Sequence, residues 1–212
     1  MRRARAALAA IAITIAIAIP VTLTTTTTAR ADDGVYGRLD GDLELRVEAG
    51  AGFASGGPSL AAGAAALYLG TAGLYAHYTD ALGSRAPDVA RSIAFGLHLQ
   101  PLFLARYGSD LEHGPARLDL LVDSFGLEIG SFWSAPRGHG LRAEPGIELA
   151  TTLAIPILAS GNGPFLALRG ALRLRQDDAA SAIDRAGLFS LTLSFHHTVT
   201  AHLVDAGDRL AR

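Results

Sequence analysis

Ser194 and His196 stand two residues apart in an alternating run from Phe189 to Leu203, so on a strand they share one face about 6.6 Å apart. If this last segment closed against the first, Glu44 or Asp42 would complete the Ser, His and acid set of nucleophilic hydrolysis. Thr198 and His202 lie on the same face, which makes polar packing the simpler role for Ser194, His196, Thr198 and His202. No catalytic residue is assigned. His197 faces the other way, where Phe195 and Val199 offer no nucleophile. A metal shared by His196 and His202 fails on distance, about 20 Å along a strand. His113 and His139 have no ligand spacing, and Asp177, Asp178 and Asp184 lack the EF-hand pattern. Neither a metal nor a cofactor is expected.

Composition removes further classes. Gly50, Gly52 and Gly56 are spaced G-x-G-x-x-x-G after a strand whose alternate residues Glu44, Arg46 and Glu48 are charged, whereas a dinucleotide-binding strand is continuously apolar. No nucleotide is expected. With 18 Lys+Arg against 20 Asp+Glu, the chain lacks the basic footprint of a nucleic-acid binder. Zero Cys excludes disulfides, thiolate metal sites and cysteine nucleophiles.

The elements that must position these residues begin after residue 31. Arg2, Arg3 and Arg5, the apolar run Ala6 to Leu23 and the site Ala29-Arg30-Ala31 read as a cleaved signal peptide over 1–31, leaving a single domain over 32–212. Cleavage would remove four Arg and no acid, leaving the exported chain with a net charge of about −6. From Asp32 onward the dominant signal is period-2 alternation between Gly, Pro, Asp and Ser clusters. The segments begin with a first run around Leu39 to Phe53, followed by Leu60 to Leu69, Ala72 to Thr79, Ser92 to Tyr107, Arg117 to Trp133 and Leu141 to Leu158. A seventh runs from Leu166 to Arg175 and an eighth from Phe189 to Leu203. Most reach the ~9 to 11 residues of a tilted transmembrane strand. Pro101, Pro145 and Pro156 imply bulges or strand ends, and Arg117 to Ser124 also fits a helix after Pro115. Short turns at Gly70-Thr71 and Ser160 to Pro164 contrast with expected long loops at Asp80 to Arg91 and Gln176 to Gly187.

The polar faces carry Asp40, Asp42, Glu44, Arg46 and Glu48 in the first segment, Arg142, Glu144 and Glu148 in the sixth, and Arg169, Arg173 and Arg175 in the seventh. Turned into a narrow eight-stranded barrel, they would interlock as an ion network that fills the lumen. Tyr36, Tyr68, Tyr107, Phe132, Trp133, Phe165 and Phe189 fall near strand ends, as in an interfacial girdle.

The export segment, the eight long alternating segments, the end-of-strand aromatics and the acidic mature chain together resemble the small eight-stranded bacterial outer-membrane β-barrel proteins. The likeness is one of pattern and spans Asp32 to about Asp205. It implies an all-β fold, a closed antiparallel up-and-down barrel of about eight strands. It also implies a monomer in the outer-membrane lipid bilayer, serving envelope integrity, adhesion or narrow solute passage without enzymatic activity. Recognition would fall to the two long loops. One alternative is a secreted or periplasmic lipocalin-like binder with its apolar faces inward. The other is an outer-membrane lipid A-modifying enzyme; the resemblance places such chemistry on the lipid side, opposite to Ser194 and His196.

Overall fold

A computed structural model of the chain describes residues 36–54, 57–82, 91–111, 114–135, 140–141, 145–177 and 182–201, with backbone alone at 176–177 and 182–185. The signal-peptide segment, Arg142, Glu144 and His202 lie outside the described residues, as do residues 83–90 of the first long loop. Eight strands form the wall: β1 (Leu43–Ala54), β2 (Gly57–Tyr68), β3 (Ala72–Ala81), β4 (Arg91–Leu99), β5 (Gly126–Ala135), β6 (Gly146–Pro156), β7 (Gly163–Asp177) and β8 (Ala182–Val199). Each pairs antiparallel with the next, and β8 returns to β1 from Leu43 opposite Val199 to Ala54 opposite Leu188. The barrel is therefore closed, and the expected all-β up-and-down architecture is the one observed. Strands of 9 to 18 residues exceed the ~5 to 6 of ordinary soluble sheets.

Alternation decides which side each residue takes. On β1, Glu44 and Arg46 are buried inside while Leu45 and Phe53 are 40% and 56% exposed outside. The same division runs through β6, where Glu148 is buried between exposed Ile147 and Leu149, and through β7, where Arg169 and Arg173 are buried and Leu166 and Leu172 exposed. The faces are thus reversed from those of a water-soluble barrel, with polar groups inside and aliphatic groups outside.

The lumen fits because the two halves of the wall differ in side-chain size. Ala61, Gly63, Ala65 and Ala94 face inward from β2 and β4. Phe132, Glu148, Arg169 and Arg173 project from β5 to β7. At Gly63 a Cβ would come within 2.4 Å of His77 Nδ1 and 2.7 Å of Glu48 Oε1, so the glycine creates the room that pair occupies. A small apolar cluster of Tyr75, Ala94 and Phe132, with Ala65 against it, sits among the charges.

Several local expectations change. The fourth segment is a strand only to Leu99. Pro101 then starts helix α1 (Pro101–Gly108), because its missing N–H costs nothing in a first helical turn. The helical alternative for the fifth segment is realised as α2 (Ala116–Asp123), with Pro115 at its N-cap. Both helices therefore lie in the β4–β5 connection, the longest of the described ones, at the barrel end that also carries the short β2–β3 and β6–β7 turns. The expected rule of short turns at that end fails there. Pro145 immediately precedes β6 and Pro156 closes it, so both mark strand ends. Gln176 to Gly187, expected as a loop, is mostly strand, with Arg175 opposite Asp184 and Asp177 opposite Ala182. Phe132 and Phe165 do not join a girdle, since both are buried inside.

Asp40 and Asp42 do not enter the lumen. Residues 36–42 bend across the end of the barrel before β1 begins, leaving Asp40 exposed, while Asp42 Oδ1 accepts the Ala201 N–H at the rim.

Candidate functional site

The polar lumen is a chain of ion pairs running along the barrel axis. Near the helical end, Arg46 Nε donates to Glu44 Oε1 at 2.7 Å, and the same oxygen lies 3.0 Å from His196 Nδ1. The β1–β8 seam makes this contact by setting Arg46 opposite His196. The His196 ring stacks on Phe165 with centroids 4.0 Å apart. Further in, Glu48 accepts from the Thr192 hydroxyl at 2.9 Å and meets His77 Nδ1 at 3.1 Å. The other ring nitrogen of His77 reaches Glu128 Oε1 at 3.3 Å, and His98 Nδ1 reaches that oxygen at 3.0 Å.

Arg169 bridges the middle of the lumen, with Nε on Glu128 at 2.8 Å and Nη2 on Glu148 at 2.5 Å. Arg173 donates from Nε to Glu148 at 2.5 Å and from Nη1 to Ser92 Oγ at 2.6 Å. Arg175 donates to Ser134 Oγ at 2.7 Å, and the guanidinium groups of Arg173 and Arg175 lie 5.0 and 5.1 Å from the Phe132 ring centre. Glu44, Glu48, Glu128 and Glu148 thus share the lumen with Arg46, Arg169, Arg173 and Arg175. Such pairing offsets the several kcal/mol per ion, roughly, that burial would otherwise cost.

Among the described residues one space in the lumen is a cavity of about 40 Å³ bordered by Arg46, His77, His98, Thr152, Ser194 and His196. His98 Nε2 and Thr152 Oγ1 are buried without a protein partner among the described residues, and water is the group that fits a void of this size beside them. Ser194 makes no hydrogen bond to His196 among the described residues, and both are buried in the packed interior. Thr198 gives its backbone N–H to Asn162 Oδ1 at 2.6 Å.

Of the residues singled out in the sequence, Glu44, Arg46, Glu48, Glu148, Arg169, Arg173, Ser194 and His196 come together inside, and Arg175 lies beside them. Four members of the network were not among them: Tyr75, His77, His98 and Glu128. Their signal was local, because each sits between two outward apolar neighbours, as Glu128 does between Leu127 and Ile129. Among the described residues no group of three His, Asp or Glu side chains could hold a metal ion.

The helices cover one mouth of this lumen. Arg106 on α1 donates to Asp123 Oδ1 on α2 at 2.7 Å and to Asp119 Oδ1. Asp119 Oδ2 also accepts from Tyr36 OH at 2.9 Å and from the Gly114 N–H at 2.8 Å. Burial alone would raise the Asp119 carboxyl, but the bonds from Arg106, Tyr36 and Gly114 outweigh it and hold the group below its ordinary range. Arg38 lies 4.1 Å over the ring of buried Phe103 and donates to Gln100 at 2.6 Å. Ser124, just after α2, accepts the Ala154 N–H at 2.9 Å, standing in for a strand partner where β6 runs past the start of β5.

The outer wall is apolar, its aliphatic side chains joined by Phe53, Phe95 and Phe189, with the single Trp133 stacked on Phe95 at 4.9 Å. The chain matches no protein-family model and no curated protein.

Proposed function

We propose that the chain is an exported, non-enzymatic outer-membrane β-barrel protein, its wall in lipid and its lumen sealed by the ion network, serving envelope integrity or adhesion. The reversal of faces carries this reading. Leu74, Phe95, Leu97 and Ile147 are each more than half exposed on the wall, while Glu148, Arg169 and Arg173 are buried within it. Water on that wall would be opposed by the hydrophobic effect at every strand, whereas lipid satisfies it. A lipocalin-like binder would need the opposite arrangement, an apolar interior around a ligand. A lipid-modifying enzyme would need its Ser and His within reach of a substrate, and a cavity of about 40 Å³ admits only water.

Trp133 provides the test, because it is the only tryptophan and lies on the outer wall. In phosphatidylcholine vesicles, brominated acyl chains are expected to quench its emission, and the unheated protein is expected to migrate faster on gels than the boiled one. Recovery of the protein as a soluble periplasmic monomer with unquenched Trp133 would overturn the reading. N-terminal sequencing of the exported chain is expected to begin at Asp32.

A further inference from the structure

Among the described residues, His77 alone meets a carboxylate with each of its ring nitrogens. Nδ1 lies 3.1 Å from Glu48 Oε1, and Nε2 lies 3.3 Å from Glu128 Oε1. In the closed ring of eight strands β1 and β5 stand opposite one another, with β3 midway between them. The imidazole from β3 therefore ties two opposite walls together across the lumen. Gly63 on β2 leaves the space for it, since a Cβ there would come within 2.4 Å of Nδ1.

Each of the two gaps needs one hydrogen. An ionised carboxylate only accepts and a neutral imidazole carries a single N–H, so a neutral ring would leave a nitrogen lone pair facing an oxygen lone pair. Glu128 is committed as an acceptor, taking Arg169 Nε on one oxygen at 2.8 Å and meeting His98 Nδ1 of β4 on the other at 3.0 Å. Glu48 is the more telling partner. Among the described residues it meets no guanidinium within ion-pair distance, and its contacts are the Thr192 hydroxyl and His77. A buried carboxylate needs a countercharge, and His77 is the group placed to supply it. The other charges around the ring are engaged elsewhere. Arg169 of β7 is shared between Glu128 and Glu148 of β6, while Arg46 of β1 and His196 of β8 both contact Glu44. On the same strand the Tyr75 ring lies 5.2 Å from the imidazole, and its hydroxyl donates to Glu148 at 3.3 Å. From β2 comes only Gly63, in a strand with no charged residue.

We propose that His77 is a proton-held latch, an imidazolium that ties Glu48 to Glu128 across the lumen and releases one of them when rising pH removes its second proton. The proton passes to solvent, the ring keeps one N–H, and one carboxylate is left facing a lone pair. The weak point of the packed interior therefore lies on the alkaline side. The chain contains no Lys and no Cys, so Tyr is the other side chain that titrates in that window.

The test uses the full chain labelled with ¹⁵N-histidine in dodecylphosphocholine micelles. Long-range proton–nitrogen correlation spectra report the protonation of each ring, and His77 is identified as the signal missing from His77→Gln or His77→Asn. At pH 8 an ordinary imidazole, titrating near about 6.5, is neutral. His77 is expected to carry a proton on both nitrogens there. Glu48→Gln is expected to show a neutral His77 at the same pH, because the amide can donate to Nδ1. Gly63→Ala pushes the ring away from Glu48, is expected to do the same, and replaces Glu48→Gln should that variant not show heat-modifiable migration. Between pH 8 and pH 9.5 the temperature at which the wild type loses its fast-migrating form is expected to fall by several degrees, and that of Glu48→Gln to stay constant. A neutral His77 in the wild type at pH 8, an imidazolium in wild type and Glu48→Gln alike, or a wild-type transition unmoved by alkali would each overturn the latch. The membrane reading is tested apart from it, by the quenching of Trp133.

Discussion

Glu148 is fully buried and holds both Arg169 and Arg173, so its loss would strand two cations in the lumen. Glu148→Leu is expected to destabilise the refolded barrel by about 3 to 5 kcal/mol, the cost typical of breaking a buried pair from one side. Urea unfolding in micelles measures this, and adding Arg173→Met is expected to recover part of the loss. A smaller gain is available at the β2–β3 turn, where Leu69 and Gly70 have φ of 47° and 62° and the Thr71 N–H reaches Tyr68 O at 3.0 Å. This is a type I′ turn, which favours Asn-Gly. Leu69→Asn is expected to stabilise by about 1 kcal/mol in the same assay, since leucine is strained in the left-handed region. At this scale the sequence was informative where charge alternated visibly, as in Glu44, Arg46 and Glu48. It was opaque where a single polar residue interrupted an apolar run. His98 and Glu128 each look isolated in the chain, and only the pairing of β4 with β5 sets them opposite one another.

The helical cap is an element-scale device whose charges lie outside the barrel wall. The Asp119 carboxyl is lowered in the folded chain, so it stabilises the cap fully above its unfolded value of about 3.9 and loses that contribution as pH falls from there through the folded value. Hydrogen exchange across residues 101–123 is therefore expected to be faster in Asp119→Asn than in wild type at pH 6. The difference should shrink toward pH 3, with exchange in β6 to β8 unaltered. The first helix was hidden because Leu102, Phe103 and Leu104 form a short apolar run with no distinguishing period, and such runs fit strand and helix alike. The second was visible as an alternative, because Pro115 and the spacing of Leu118, Leu121 and Val122 fit a helix as well as a strand.

For the whole molecule, four Glu, four Arg, three His and the Phe132 ring crowd the lumen among the described residues, and the sealed interior proposed above has a direct electrical test. The barrel is expected to give no single-channel steps in planar bilayers at neutral pH, and recordings with a regular unitary conductance would contradict the filled interior. Closure itself has a kinetic consequence. The β1–β8 seam joins the first strand of the wall to the last, so β1 keeps one open edge until residues 188–199 have been synthesised and delivered. Hairpins along β2 to β7 can form from near neighbours, but this pairing is among the least local in the chain and pays its loop-closure entropy before any contact rewards it. The contact between Glu44 and His196 spans the same seam, so the lumen's ion chain is completed only in the step that shuts the barrel, and a stalled chain leaves both a bare strand edge and a Glu44 carboxylate that has Arg46 but lacks His196.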